Sequence, residues 1–117
     1  MRAAMDVPVR LSEVSAPRQV LLRVFQSIGY GQILNLLVRD REPIFDPPPT
    51  VLRDIKLGGD GGERPELELS DFALRAEVRR LLQCLDEVGT GRVQRIDIVA
   101  GIPRRILIES PLAEIRR

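Results

Sequence analysis

Apolar positions follow two rhythms along this chain, and each rhythm occurs twice. Val20, Leu21, Val24, Phe25 and Ile28 recur at three- and four-residue steps, the spacing of one helical face. Leu74, Val78, Leu81, Leu82, Leu85 and Val88 repeat that spacing, with Arg75, Glu77, Arg79, Arg80, Asp86 and Glu87 mostly opposite. Ser15 is placed to cap the first helix, which opens on Ala16-Pro17, where proline is tolerated. Ser70 or Asp71 is placed to cap the second. Gly29 and Gly89 sit one residue past each stripe, at the position of a left-handed C-cap.

Strands follow each helix. Gln94, Ile96 and Ile98 alternate with Val93, Arg95, Asp97 and Val99, which assigns them to opposite faces of one strand. Ala100-Gly101 supplies a turn, and Ile106 and Ile108 alternate with Arg105, Leu107 and Glu109 on the way back. Pro103 points to an edge or a bulge. The earlier hairpin runs from Ile33 to Val38, turns at Arg39 to Glu42 and returns through Ile44 and Phe45. Asp46-Pro47-Pro48-Pro49 ends that return strand, because three prolines remove three donors.

The two stretches align without a gap at an offset of 60 residues. Leu21 and Leu22 meet Leu81 and Leu82, Phe25 meets Leu85, and Gly29-Tyr30-Gly31 meets Gly89-Thr90-Gly91. Ile33, Leu36 and Val38 meet Val93, Ile96 and Ile98, Pro43 meets Pro103, and Leu52 to Lys56 meets Leu112 to Arg116. A single two-stranded hairpin is marginal alone. The expected fold is therefore α+β: two tandem α-β-β units that form a four-stranded antiparallel sheet with both helices on one face. Unit one spans 16–57, a glycine-rich acidic linker spans 58–69 and unit two spans 70–117, all in one domain. From Gly58 to Asp71 five acids stand against Arg64, a local charge of −4, which suits a solvated connection. If helices cover only one side of the sheet, either Leu34, Leu36 and Val38 or Ile33 and Leu37 are left exposed. Such a face calls for a partner, and a homodimer is the simplest one.

Residues 19–57, and more faintly 79–117, resemble the small bacterial domain of unknown function typified by the YezD-like proteins. The likeness lies in Ile28, Tyr30, Gly31 and Ile33, in the turn at Asp40-Arg41 and in the ending Ile55-Lys56-Leu57. The second stretch carries Val88, Gly91, Val93, a turn at Gly101 and Ile115-Arg116. The family's turn glycine is replaced by Arg41, and its aromatic by Thr90. The resemblance implies a small dimer-forming module and no known activity.

Composition narrows the chemistry. The 117 residues carry 18 basic and 17 acidic side chains, no His, no Trp and one Cys. Histidine-dependent triads, His or multi-Cys metal sites and an internal disulfide are excluded, and no cofactor, metal or catalytic set is expected. Of the basic residues only Lys56 is lysine; arginine suits phosphate or carboxylate recognition, and it is also the default cation of a GC-rich genome. Neither a membrane span nor the apolar run of a secretory signal is present, so a cytoplasmic protein is expected.

Four features remain as candidate sites. Gly29-x-Gly31 and Gly89-x-Gly91 follow helices, whereas a phosphate cradle precedes one. Asp40, Glu42, Asp46 and Asp54 crowd the first hairpin without calcium-loop spacing. Cys84 lies within a helical stripe and reads as a small apolar residue. Arg92, Arg95, Arg104 and Arg105 cluster on the second hairpin, as a solvated or interface face or as anion or nucleic-acid contacts. With three Phe and one Tyr in the chain, single-strand stacking has little to work with. Self-association or a protein partner is thus the leading expectation, and nucleic-acid binding through the second hairpin is the alternative.

Overall fold

A computed structural model describes residues 10–58 and 75–110. It is α+β, with two helices and an antiparallel sheet of five strands. A 3₁₀ turn at Leu11–Glu13 leads into α1 (Ala16–Ile28), β1 (Gly31–Arg39), β2 (Glu42–Ile44) and β3 (Thr50–Arg53). Then come α2 (Ala76–Val88), β4 (Gly91–Val99) and β5 (Ile102–Ile108). The bounds 16–28 and 31–39 reappear as 76–88 and 91–99, an offset of 60 residues.

α1 starts as its sequence demands. The Ser15 hydroxyl accepts from the Arg18 N–H, and Pro17 occupies the first turn. α2 starts differently: Arg75 holds the N-cap position without a side-chain cap bond. Ser70 and Asp71, expected there, lie outside the described residues, as does the acidic run from Asp60 to Asp71. Both helices end on glycine at positive φ, 74° at Gly29 and 67° at Gly89, with the N–H returned to Phe25 and Leu85.

The centre of the sheet is the β1–β4 ladder, which runs antiparallel from Gly31↔Ile98 to Val38↔Gly91. β5 pairs with the far side of β4. The far side of β1 is shared: β2 pairs with Leu37–Arg39, and β3 pairs with Gly31–Leu34. The proline run does end β2 after three residues. The chain then rejoins the same edge of β1 as β3, so the sheet has five strands where four were expected. A bare strand edge at Gly31–Leu34 would leave backbone groups unpaired, and Thr50–Arg53 satisfies them.

Gly31 makes that approach possible. A Cβ on this residue would stand 2.0 Å from the Leu52 carbonyl oxygen, well inside contact distance.

Strict alternation fails at one point in each central strand. Ile33, Leu36 and Val38 are all buried, as are Val93, Ile96 and Ile98. Asn35 has φ 59°, and it and Gln94 drop out of the otherwise regular β1–β4 register. The β4–β5 register shifts between Val93 and Arg95. Such bulges absorb one residue and let positions three apart share a face. Val93 thus joins Ile96 and Ile98 in the core, contrary to the expected opposition. These six side chains form one cluster with Leu21, Leu22, Phe25 and Ile28 of α1 and Val78, Leu81, Leu82 and Leu85 of α2. Leu11, an isolated apolar residue in the sequence, is fully buried in the same cluster.

Turns and helix ends lock onto each other. The β1–β2 turn has positive φ at Asp40 and Arg41, and the β4–β5 turn has it at Ala100 and Gly101, the two-residue hairpin geometry that matches strand twist. Arg41 donates its N–H to the Gly89 carbonyl at 2.7 Å, and Gly101 donates to the Gly29 carbonyl at 2.8 Å. Arg18 gathers the first of these junctions. Its Nη2 donates to Asp86 at 2.6 Å and to the Arg41 carbonyl at 2.8 Å, while its Nε lies 3.7 Å from Glu42. The Ser15 hydroxyl also donates to Glu42 at 2.6 Å.

Two outcomes are expected. Gly31→Ala should cost about 2 kcal/mol in denaturant titration, whereas Gly58→Ala, which meets open space, should stay within about 0.5 kcal/mol. Arg18→Ala should cost about 1–3 kcal/mol, and Arg18→Lys should recover only part, because an ammonium cannot span carbonyl and carboxylate as the fork does.

Candidate interaction surface

The pleat divides the sheet's side chains between two environments. One face lies under both helices. The other carries the alternate residues: Gln32, Leu34 and Leu37 of β1, Arg92, Arg95 and Asp97 of β4, and Arg105 and Leu107 of β5, as the cross-strand partners show. Leu52 of β3 pairs with Gln32, and Ile44 of β2 pairs with Leu37, which puts both on this face too.

This face is mixed rather than polar. Leu34, Leu37 and Ile44 are half-buried among their strand neighbours. Leu52 and Leu107 are exposed, at 46% and 39%. Of the three residues expected to form an interface, Leu36 and Val38 are buried in the chain's own core, at 0% and 2% exposure. Leu34 remains at the surface, and the positive-φ break at Asn35 brings Leu37 to the same side. Leu37 was named only in the alternative set with Ile33, and Ile44, Leu52 and Leu107 were not singled out from sequence. Their apolar character was visible, but their face depended on the phase of each strand.

Charge on the open face centres on Asp97. Arg95 Nε lies 3.0 Å from one carboxylate oxygen, and Gln32 donates to that oxygen at 3.1 Å. Arg105 Nε lies 3.9 Å from the other. Three side chains from three adjacent strands are thereby laid against the sheet around one acid, in a half-buried setting where such pairs are less screened than on a bare surface.

The four arginines of the second hairpin do not form one patch. Arg95 and Arg105 share Asp97 on the open face. Arg104 projects to the helix-covered side, where its Nη1 donates to Glu77 of α2 at 3.0 Å. Arg104 and Arg105 are consecutive residues of β5, so the pleat turns them to opposite faces. Arg92 stands at the far end of β4, beside Leu37, Arg39 and Glu109. The acids of the first hairpin disperse as well: Glu42 is bound by Ser15 and Arg18, and Asp54 lines a groove with Leu52 and Asp97. Among the described residues no group of three or more His, Cys, Asp or Glu is placed to hold a metal ion.

Cys84 borders a groove of about 400 Å³ between α2 and β5, with Arg80, Leu81, Pro103 and Ile106. Burial pushes its thiol above the ordinary value, Glu87 adds to that, and Arg80 opposes both. The thiolate is the nucleophile, and this shift lowers its share at neutral pH. Among the described residues no helix is long and apolar enough to cross a membrane.

Iodoacetamide should therefore modify the folded chain more slowly than the urea-unfolded chain at pH 7. The folded rate should rise at a pH higher than that of the unfolded thiol; equal pH profiles in the two states would contradict the burial effect. Comparison with family models, curated proteins and solved structures found no match to this chain.

Proposed function

We propose that this is a non-enzymatic protein that acts by associating with itself, as a homodimer. One observation carries the reading. Both helices serve a single face of the sheet, and the other face keeps Leu34, Leu37, Ile44, Leu52 and Leu107 at or near solvent. Apolar side chains held at the surface of a sheet face are characteristic of an interaction site. The absence of His from the sequence and the raised pKa of the single Cys support a role in binding rather than in catalysis.

The chain is also read as two copies of one α-β-β unit. Three features support this: the common offset of α1/α2 and β1/β4, the glycine C-caps at Gly29 and Gly89, and the reciprocal bonds from Arg41 to Gly89 and from Gly101 to Gly29. Pairing β1 with β4 gives each unit the second half-sheet that a lone hairpin lacks.

Multi-angle light scattering on the full chain tests the proposal. The expected mass is twice 13.2 kDa, falling towards the single-chain value on dilution. A single-chain mass at every concentration would overturn it.

A further inference from the structure

We infer that the outer edge of β5 and the groove beside it form a docking site for an extended acidic peptide of another protein, which adds to the sheet as a further strand. The inference goes beyond the self-association proposed above, which concerns the open face.

The backbone supplies one half of the site. Among the described residues β5 pairs with β4 alone, and no turn or loop bond reaches its other side. Every second N–H and C=O of such an edge strand points away from the sheet. Pro103 lacks one donor near the start of the strand, so the usable row is 104–108. The opposite edge of the sheet has no comparable row, because β2 ends at Ile44 and β3 begins only at Thr50.

The groove of about 400 Å³ between α2 and β5 supplies the other half. Ala76, Leu81, Cys84 and Ile106 give it apolar walls. Four consecutive residues of β5, Pro103 to Ile106, line it and no residue of β4 does, so the groove opens along the outer side of the strand. An added strand would lie about 4.8 Å from β5 and send alternate side chains to opposite faces. Those on the helix side enter the groove. Main-chain pairing for affinity, with a side-chain groove for selectivity, is the general logic of strand addition.

Charge chooses the occupant. Arg80, Arg104 and Arg105 line the groove against Glu77. Glu77 takes Arg104 at 3.0 Å. Asp97 lies 3.9 Å from Arg105 but is held at 3.0 Å by Arg95, so one carboxylate serves two guanidiniums. Among the described residues no carboxylate is paired with Arg80. Four arginines thus stand against two acids, and the excess is positive. A second copy of β5 would bring its own arginines here, and like charges directly opposite are destabilising. Acids on the incoming strand gain where that copy loses. In antiparallel pairing, the more stable kind per residue, the order along the partner is fixed. An apolar residue opposite Ile106 enters the groove beside Leu81. The next residue, an acid, faces Arg105 on the open side. The one after it, also an acid, meets Arg104 and Arg80 on the helix side.

Amide NMR titration of the full chain with the octapeptide Gly-Thr-Val-Val-Glu-Glu-Thr-Gly tests the site. The amides of 104–108 and of Arg80, Leu81 and Cys84 should shift. Replacing both glutamates of the peptide by lysine should weaken binding about tenfold, the scale of two exposed ion pairs. Arg80→Glu, at an exposed position, should weaken the glutamate peptide about fivefold and strengthen the lysine peptide, with far-UV circular dichroism unchanged. Methylating alternate backbone nitrogens of the peptide should abolish binding in one phase and spare it in the other, because only every second N–H faces β5. Equal affinity for the glutamate and lysine peptides, equal behaviour of the two methylated phases, or unshifted β5 amides at millimolar peptide would each overturn the site. Slow hydrogen exchange at every amide of 104–108 in the free chain would show the edge already covered, and would overturn it too.

Discussion

The antiparallel contact between β1 and β4 is the constraint from which the rest of the structure follows. It joins Gly31 to Ile98 at one end and Val38 to Gly91 at the other. That pairing brings Ile33, Leu36 and Val38 side by side with Val93, Ile96 and Ile98, and all six are buried. Neither strand could bury these residues on a two-stranded hairpin. Together they make a floor wide enough for both helices, and each helix supplies four buried side chains to it. Burial of this apolar area is the main favourable term for a chain of this size.

The ladder also dictates what happens at its two ends. Antiparallel pairing places the β1–β2 turn beside the C-cap of α2, and the β4–β5 turn beside the C-cap of α1. Arg41 holds φ 69° although it is not glycine. Its N–H donates to Gly89 and its carbonyl accepts from Arg18, so the surrounding bonds maintain a conformation that the residue alone disfavours. Helix ends ordinarily leave carbonyls unsatisfied; here the hairpin turns supply the missing donors. The cost of two positive-φ residues per turn is offset by twist-matched hairpins and by these cross-bonds.

Because the positive-φ break at Asn35 and the register shift between Val93 and Arg95 put both central strands out of simple alternation, they define the open face as much as the core. Without them Ile33 and Leu36 would point to opposite sides, and Leu37 would lie under the helices. With them the open face receives Leu34 and Leu37 together, next to Leu107 and the Asp97 cluster. The same local irregularity therefore tightens the core and places apolar side chains on the face that neither α1 nor α2 covers.

The sequence alone determined the elements governed by local chemistry. α1 begins after Ser15 and stops at Gly29 because a cap, a first-turn proline and a left-handed glycine act on their immediate neighbours. The Ala100-Gly101 turn and the α+β class were legible for the same reason. What no local signal carried was decided by tertiary contact. β3 exists because the edge of β1 needed partners and Gly31 admitted the Leu52 carbonyl. Leu11 is buried because the core lies over it, and Leu36 and Val38 moved from expected interface to core. Strand phase is a property of pairing between distant segments, and a one-residue shift in it exchanges inside for outside.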